Sequence, residues 1–212
     1  MTIFAIKESK SHLRKHIKKS LKLISQESLI QQSHDIHKLI LDHPQFKQAT
    51  KIALYMNMPD SEVKTLDIIK SCFEMGKSVY LPKCNYHKTL IRKHNHLTML
   101  KLSSFEDVLE LKPHGKYKLL EPTEGDDVFH DSAGLDMIIV PAVAFTTLKQ
   151  RMGHGAGYYD EYISSHVKHF GKKPYLLGIG LQEQLVDHLH TEEHDWSLDS
   201  IIIGGEDHRI IY

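Results

Sequence analysis

Between residues 135 and 167 an apolar run passes through a glycine-rich loop into a segment of helical periodicity, and few folds accommodate that order. The run is Leu135-Asp136-Met137-Ile138-Ile139-Val140-Pro141, and the loop is Arg151-Met152-Gly153-His154-Gly155-Ala156-Gly157. Tyr158, Tyr159, Tyr162, Ile163 and Val167 then follow the three- and four-residue spacing of one helix face. A strand, a loop stripped of side chains and a helix aim backbone N–H groups and a positive helix end at one anion. The spacing is Gly-x-Gly-x-Gly, so neither the dinucleotide fingerprint nor the Walker phosphate loop applies directly. Alone, such a loop serves equally as a tight connection. Arg151, the Tyr158-Tyr159 pair and Asp160 favour a site, because a plain turn requires none of them together.

The rest of the chain alternates strand and helix signals. Leu13, Ile17, Leu21 and Ile24 predict a first helix over roughly 7–24, and Leu29, Ile36, Leu39 and Ile40 a second ending near His43. Residues 51–56 read as a strand, Pro59-Asp60-Ser61 as the start of a helix through Phe73, and Gly76 as its stop. Residues 78–82 form a second strand closed by Pro82, and 98–102 a short one. Residues 118–122 read as extended, 174–180 as a further strand, and 200–203 with 209–212 as a closing hairpin around Gly204-Gly205. The alternation predicts an α/β fold: one three-layer domain over residues 1–212, a mostly parallel sheet with helices on both faces.

Composition narrows the function classes. Lys+Arg and Asp+Glu both number 27, so no global field draws the chain to nucleic acid or membrane. No apolar run approaches the roughly 18 residues of a spanning helix. Cys72 and Cys84 form no CxxC pair, which fits a reducing compartment, and the expectation is a cytoplasmic protein and a monomer. His190-Thr191-Glu192-Glu193-His194 matches an inverted zincin string, but its surroundings are polar throughout and offer no helix face for two zinc ligands. The residues alone leave three readings open: a phosphoryl-transfer enzyme, a nucleotide-binding regulator, and a sugar-phosphate or CoA-handling protein.

With these residues in view, the chain resembles the 5-formyltetrahydrofolate cyclo-ligases, or methenyltetrahydrofolate synthetases, over nearly its whole length. Lys10-Ser11-His12-Leu13-Arg14 is similar to the family's Lys-x-x-Leu-Arg segment, and Tyr55 to Thr65 to its strand-end segment with a glutamate, here Glu62. Residues 76–83 resemble its second strand, Glu121-Pro122 its Glu-Pro element, and Val140-Pro141 through Asp160 its signature. The resemblance implies MgATP-dependent conversion of 5-formyltetrahydrofolate to 5,10-methenyltetrahydrofolate, releasing ADP and phosphate by way of a phosphorylated formyl oxygen. It implies catalytic roles for Lys10, Arg14 and Arg151. It implies ATP contacts from those three and from Met152, Gly153, His154, Gly155, Ala156, Gly157, Tyr158 and Tyr159. Substrate contacts follow for Met56, Glu62, His154, Tyr158 and Tyr117, and Mg²⁺ coordination for Asp160 and Asp195. Without the resemblance, Lys10 and Arg14 read as a solvated helix face, and Glu62 as a carboxylate at a helix N-terminus.

The chain departs from that pattern at three positions. His154 stands where many relatives carry Arg or Lys, Thr146 where Asp is frequent, and Lys149 at a usual glycine. An imidazole at 154 is expected to make contact with the folate tail more pH dependent than a guanidinium would. Lys149 is expected to turn the loop before Arg151 differently.

Overall fold

Successive residues of the central strands enter two different cores, and that alternation decides the architecture. The computed structural model describes residues 3–58, 62–86, 95–114 and 118–212. Helices α1 (Ile3–Leu21) and α2 (Gln26–Asp42) come first, and the Ser25 hydroxyl caps α2 by accepting the Ser28 N–H at 3.1 Å. A short α3 (Pro44–Gln48) leads to β1 (Lys51–Ala53), α4 (Leu66–Glu74), β2 (Ser78–Asn85) and β3 (His96–Leu102). Then come α5 (Phe105–Leu109) and a ribbon of β4 (Pro113–His114) with β5 (Leu119–Leu120). Strand β6 (Met137–Val140) precedes a hairpin of β7 (Ala144–Phe145) and β8 (Arg151–Met152). The chain ends with α6 (Tyr158–Phe170), β9 (Tyr175–Gly180), β10 (Ser200–Ile203) and β11 (Arg209–Ile211).

Seven strands make the main sheet, in the order β11-β10-β9-β6-β1-β2-β3. The pairs from β10 to β2 are parallel, and the edges β11 and β3 are antiparallel. Met137 and Ile139 of β6 pack in one core with Ile17, Ile36 and Ile68 of α1, α2 and α4. Ile138 and Val140 pack in the other with Tyr162 and Ile163 of α6. The same split separates Ile52 from Ala53 in β1 and Ile202 from its two neighbours in β10. Side chains alternate across a strand, so a sheet covered on both faces needs continuous apolar runs, as 137–140 supplies. Among the described residues no helix is long and apolar enough to cross a membrane.

Three expected boundaries are corrected. Strand β1 stops at Ala53 because the chain then leaves the sheet, with the Thr65 hydroxyl donating to the Tyr55 carbonyl at 2.7 Å. Helix α4 begins at Leu66, well after the expected start (Pro59–Ser61 lies outside the described residues), because the Thr65 N–H and hydroxyl are committed to Asn57 and Tyr55. Strand β2 continues past Pro82 to Asn85. At Pro82 only β3 lies alongside, since β1 pairs no further than Tyr80, so a missing N–H is tolerated there.

The β7–β8 hairpin lies over the carboxyl half of β9, and two glycines make the room. A Cβ on Gly180 would come within 2.7 Å of the Phe145 ring, and one on Gly178 within 2.6 Å of Leu198 and 2.8 Å of Phe145. Phe145 is fully buried and fixes the hairpin that carries Arg151. Gly180→Ala is therefore expected to destabilise the protein by about 1–3 kcal/mol. Urea denaturation checks this, and an unchanged midpoint would contradict it.

His166 fastens α6 to the start of β6. Its Nε2 accepts the Leu135 N–H at 2.9 Å, and the ring is fully buried. Burial pushes its pKa down to about 4 from the ordinary 6.5. The folded ring stays neutral while the unfolded chain takes up a proton below 6.5. The stability it contributes is therefore complete above pH 6.5 and lost as pH falls toward 4, by up to about 3 kcal/mol. Urea midpoints at pH 7 and 4.5 should differ less in His166→Gln than in the parent, and an equal drop would refute the assignment.

Candidate active site

The neighbours β1 and β6 feed connections in opposite directions across the sheet, β1 toward β2 and β6 toward β9 and β10. Such a reversal leaves a crevice beyond the carboxyl ends of the strands. Three loops leave that edge: 54–65 after β1, the hairpin and glycine loop after β6, and 181–199 after β9. A cavity of about 440 Å³ opens between the last two and α1, lined by Lys10, Arg14, Arg151, the glycine loop, Asp160 and Asp195.

Gly155 and Gly157 adopt φ of +102° and +69°, a backbone that disfavours any side chain. Among the described residues the amides of 153–157 donate to no protein acceptor, and residues 154–157 are exposed. Gly157 stands at the N-cap of α6 without a side-chain cap among the described residues, and the N–H groups of the first helical turn have no intrahelical acceptor. The turn before the loop corrects one expectation. Lys149 adopts φ +62°, the left-handed backbone that glycine favours, so lysine there keeps the glycine-type turn. The buried Thr146 hydroxyl accepts the Gln150 N–H at 3.3 Å and closes it.

Arg151 is buried, and its guanidinium donates to Asp160 Oδ1 at 2.5 Å. Asp160 Oδ1 also accepts the Trp196 N–H at 3.0 Å, which ties the first turn of α6 to the 181–199 loop. Arg151 Nε is buried with no partner among the described residues.

Lys10 and Arg14 reach the cavity from consecutive turns of α1. Arg14 Nε donates to the Gly153 carbonyl at 2.8 Å, and its guanidinium lies 3.4 Å from where a Cβ of Gly155 would sit. Lys10 Nζ donates to Glu192 at 2.9 Å and to Asp195 at 3.1 Å. Burial pulls Lys10 down, but the two carboxylates outweigh it and hold the ammonium above its ordinary pKa. Burial likewise pushes Asp195 up, and the Glu192 N–H and Lys10 more than offset it, leaving Asp195 below the usual range.

On the other side of the glycine loop, Glu62 is buried and accepts the Met58 N–H at 2.7 Å. It lies four residues ahead of α4, so it serves the 54–65 loop and not that helix's dipole. His154 Nε2 stands 3.9 Å from Glu62 Oε1, joining the two loops. Burial, followed by the Glu62 charge, pushes the Tyr159 phenol well up. Tyr158 is raised too, by burial and then by Tyr86 and Cys84, and it packs at the margin of the α6-side core. Met56 packs against the opposite core from the same 54–65 loop. Tyr117 lies outside the described residues. The fold thus lines one cavity with Lys10, Arg14, Arg151, Met152, Gly153, Gly155, Gly157, Asp160 and Asp195, while His154 reaches Glu62 and Tyr158 and Tyr159 pack at the margin of the α6-side core.

A family model described as the 5-formyltetrahydrofolate cyclo-ligase family matches residues 6–204. The chain belongs to that family. The 5-formyltetrahydrofolate cyclo-ligase of Saccharomyces cerevisiae is 36% identical over 92% of this chain and 95% of its own. The cyclo-ligase of Mus musculus is 30% identical over 95% and 97%. The solved 5,10-methenyltetrahydrofolate synthetase of Aquifex aeolicus superposes with a TM-score of 0.72 at 25% identity, covering 95% of this chain and 92% of that one.

One carboxylate of this cyclo-ligase family member's site was not read from sequence. Glu192 belongs to the string that resembled a zinc motif, yet its carboxylate holds Lys10. Its polar loop following an apolar strand, at a carboxyl edge, was the available signal. Glu121 accepts the Cys84 N–H at 3.3 Å, and burial together with Glu121 pushes the Cys84 thiol up to about 12, which makes it a poor nucleophile.

Arg151 is buried and Asp160 half-buried, so deleting the carboxylate strands a buried guanidinium. Asp160→Ala is expected to cost about 3–5 kcal/mol of stability. Thermal and urea unfolding check this. A variant as stable as the parent would show that Arg151 finds another counter-charge.

Proposed function

We propose that this chain converts 5-formyltetrahydrofolate to 5,10-methenyltetrahydrofolate with MgATP, releasing ADP and phosphate, as a single unit over residues 1–212. The formyl oxygen attacks the γ-phosphorus and the bond to ADP breaks. The N10 lone pair then attacks the activated formyl carbon, the carbon–oxygen bond breaks, phosphate departs and the N10 proton is lost to solvent. The chemistry asks the protein to align two substrates and stabilise charge spreading over the transferred group.

The observation that carries this reading is the convergence in one cavity of three cations on loop amides that meet no acceptor among the described residues. Lys10, Arg14 and Arg151 face the phosphates, and the buried Nε–H of Arg151, without an acceptor among the described residues, fits an anion as its partner. The amides of 153–157 and the start of α6 add neutral donors, with Met152 and Tyr159 as walls. Glu62 accepts hydrogen bonds from the pterin, Met56, Tyr158 and Tyr117 border it, and His154 meets the folate tail. Asp160 and Asp195 offer hard oxygens on the same cavity, and Asp160 keeps one oxygen without a partner among the described residues. Mg²⁺ takes one or two carboxylates plus phosphate oxygens, so the donor set fits it, and the ion would neutralise phosphate charge. The reading extends to a cytoplasmic protein without nucleic-acid or membrane partners, in line with two free cysteines and balanced charge, and to a monomer.

Mixing the protein with 5-formyltetrahydrofolate and MgATP should raise the near-ultraviolet absorbance of the methenyl product. Lys10→Ala should lower turnover by about a hundredfold, the scale of losing one preorganised charge-stabilising donor. No absorbance change with monoglutamyl or polyglutamyl substrate would discard the reading.

A further inference from the structure

The 192–195 turn grips Lys10 with two carboxylates, where one would suffice as a counter-charge. The Glu192 N–H donates to Asp195 Oδ2 at 2.9 Å, and the Asp195 N–H returns to the Glu192 carbonyl at 3.0 Å. These two bonds close the turn, so the two carboxylates keep a set separation around one ammonium. The Lys10 side chain is only 12% exposed, whereas Glu192 is 30% exposed and hydrogen-bonds there through Lys10. An ammonium has three N–H donors, and the turn occupies two of them. One donor remains for a phosphate in the cavity that Lys10, Glu192 and Asp195 line together.

We infer that Glu192 is a positioning residue: it fixes the Lys10 ammonium so that its remaining donor meets the transferred phosphoryl group. The inference rests on the phosphate role proposed for Lys10. Glu192 touches no reacting atom, and its effect on the chemical step passes through Lys10. Its negative charge also faces the incoming nucleotide, so it weakens ground-state binding while it orders the cation. Removing that charge should therefore separate kcat from KM.

The experiment is a double-mutant cycle with steady-state kinetics on the full chain. Glu192→Gln should lower kcat by about tenfold, the scale of a misplaced catalytic group. KM for MgATP should stay level or fall, and the urea midpoint should match the parent. In a Lys10→Ala background the same substitution should change kcat no further. Glu193→Gln, one residue along and exposed, should leave both constants unchanged. Parental kcat in Glu192→Gln would overturn the inference. So would an equal loss in the Lys10→Ala background, an equal effect from Glu193→Gln, or a fall in urea midpoint that accounts for the lost rate. Parental turnover in Lys10→Ala would instead sink the phosphate role of Lys10 itself, a result distinct from each of these.

Discussion

A guanidinium buried beside a glycine loop needs a carboxylate, and the Arg151–Asp160 pair is the constraint on which the site depends. It spans the glycine loop, joining β8 on one side to the first turn of α6 on the other. The loop between them carries no side chain larger than His154, so it has little packing of its own to define its course. The pair supplies that definition, and the Trp196 N–H on the same carboxylate oxygen extends it to the 181–199 loop. Beneath it, Phe145 seated over Gly178 and Gly180 keeps β8 in place.

Helix α1 completes the crevice by an unusual use of its charges. Arg14 bonds a backbone carbonyl of the glycine loop, and Lys10 bonds two carboxylates of the 192–195 turn. An amino-terminal helix is thereby fastened to two loops that arrive some 140 to 185 residues later in the chain. The site is closed by long-range polar contacts, and the sheet beneath by apolar ones. Opposite charges balance around the cavity: Lys10, Arg14 and Arg151 against Asp160, Glu192 and Asp195.

What could be read in advance follows from the range of each interaction. Apolar patterning is local, so the four longer helices were visible in their periodicity and the parallel strands of the two-faced sheet in runs such as 137–140 and 176–179, whereas the five-residue helices α3 and α5 are too short to show a period. The Gly153–Gly157 loop and Arg151 were visible because their residue types are rarely combined without a ligand. Boundaries failed where a distant partner intervened. Thr65 bonding back to Tyr55 delays α4, and the early end of β1 lets β2 run through Pro82. Glu192 was hidden for the same reason, since nothing within its own loop points to Lys10. Lys149 was misjudged because sequence shows a residue's preference and not the strain that neighbouring hydrogen bonds can impose.

In the proposed function the glycine-loop amides, which meet no acceptor among the described residues, receive the nucleotide's phosphates. Amide NMR with MgADP and with a non-hydrolysable ATP analogue tests it most directly. The account predicts large downfield shifts of the Gly153, Gly155 and Gly157 N–H signals, saturating with nucleotide and absent with adenosine. Saturable nucleotide binding that leaves those three signals in place while shifting amides elsewhere would contradict it.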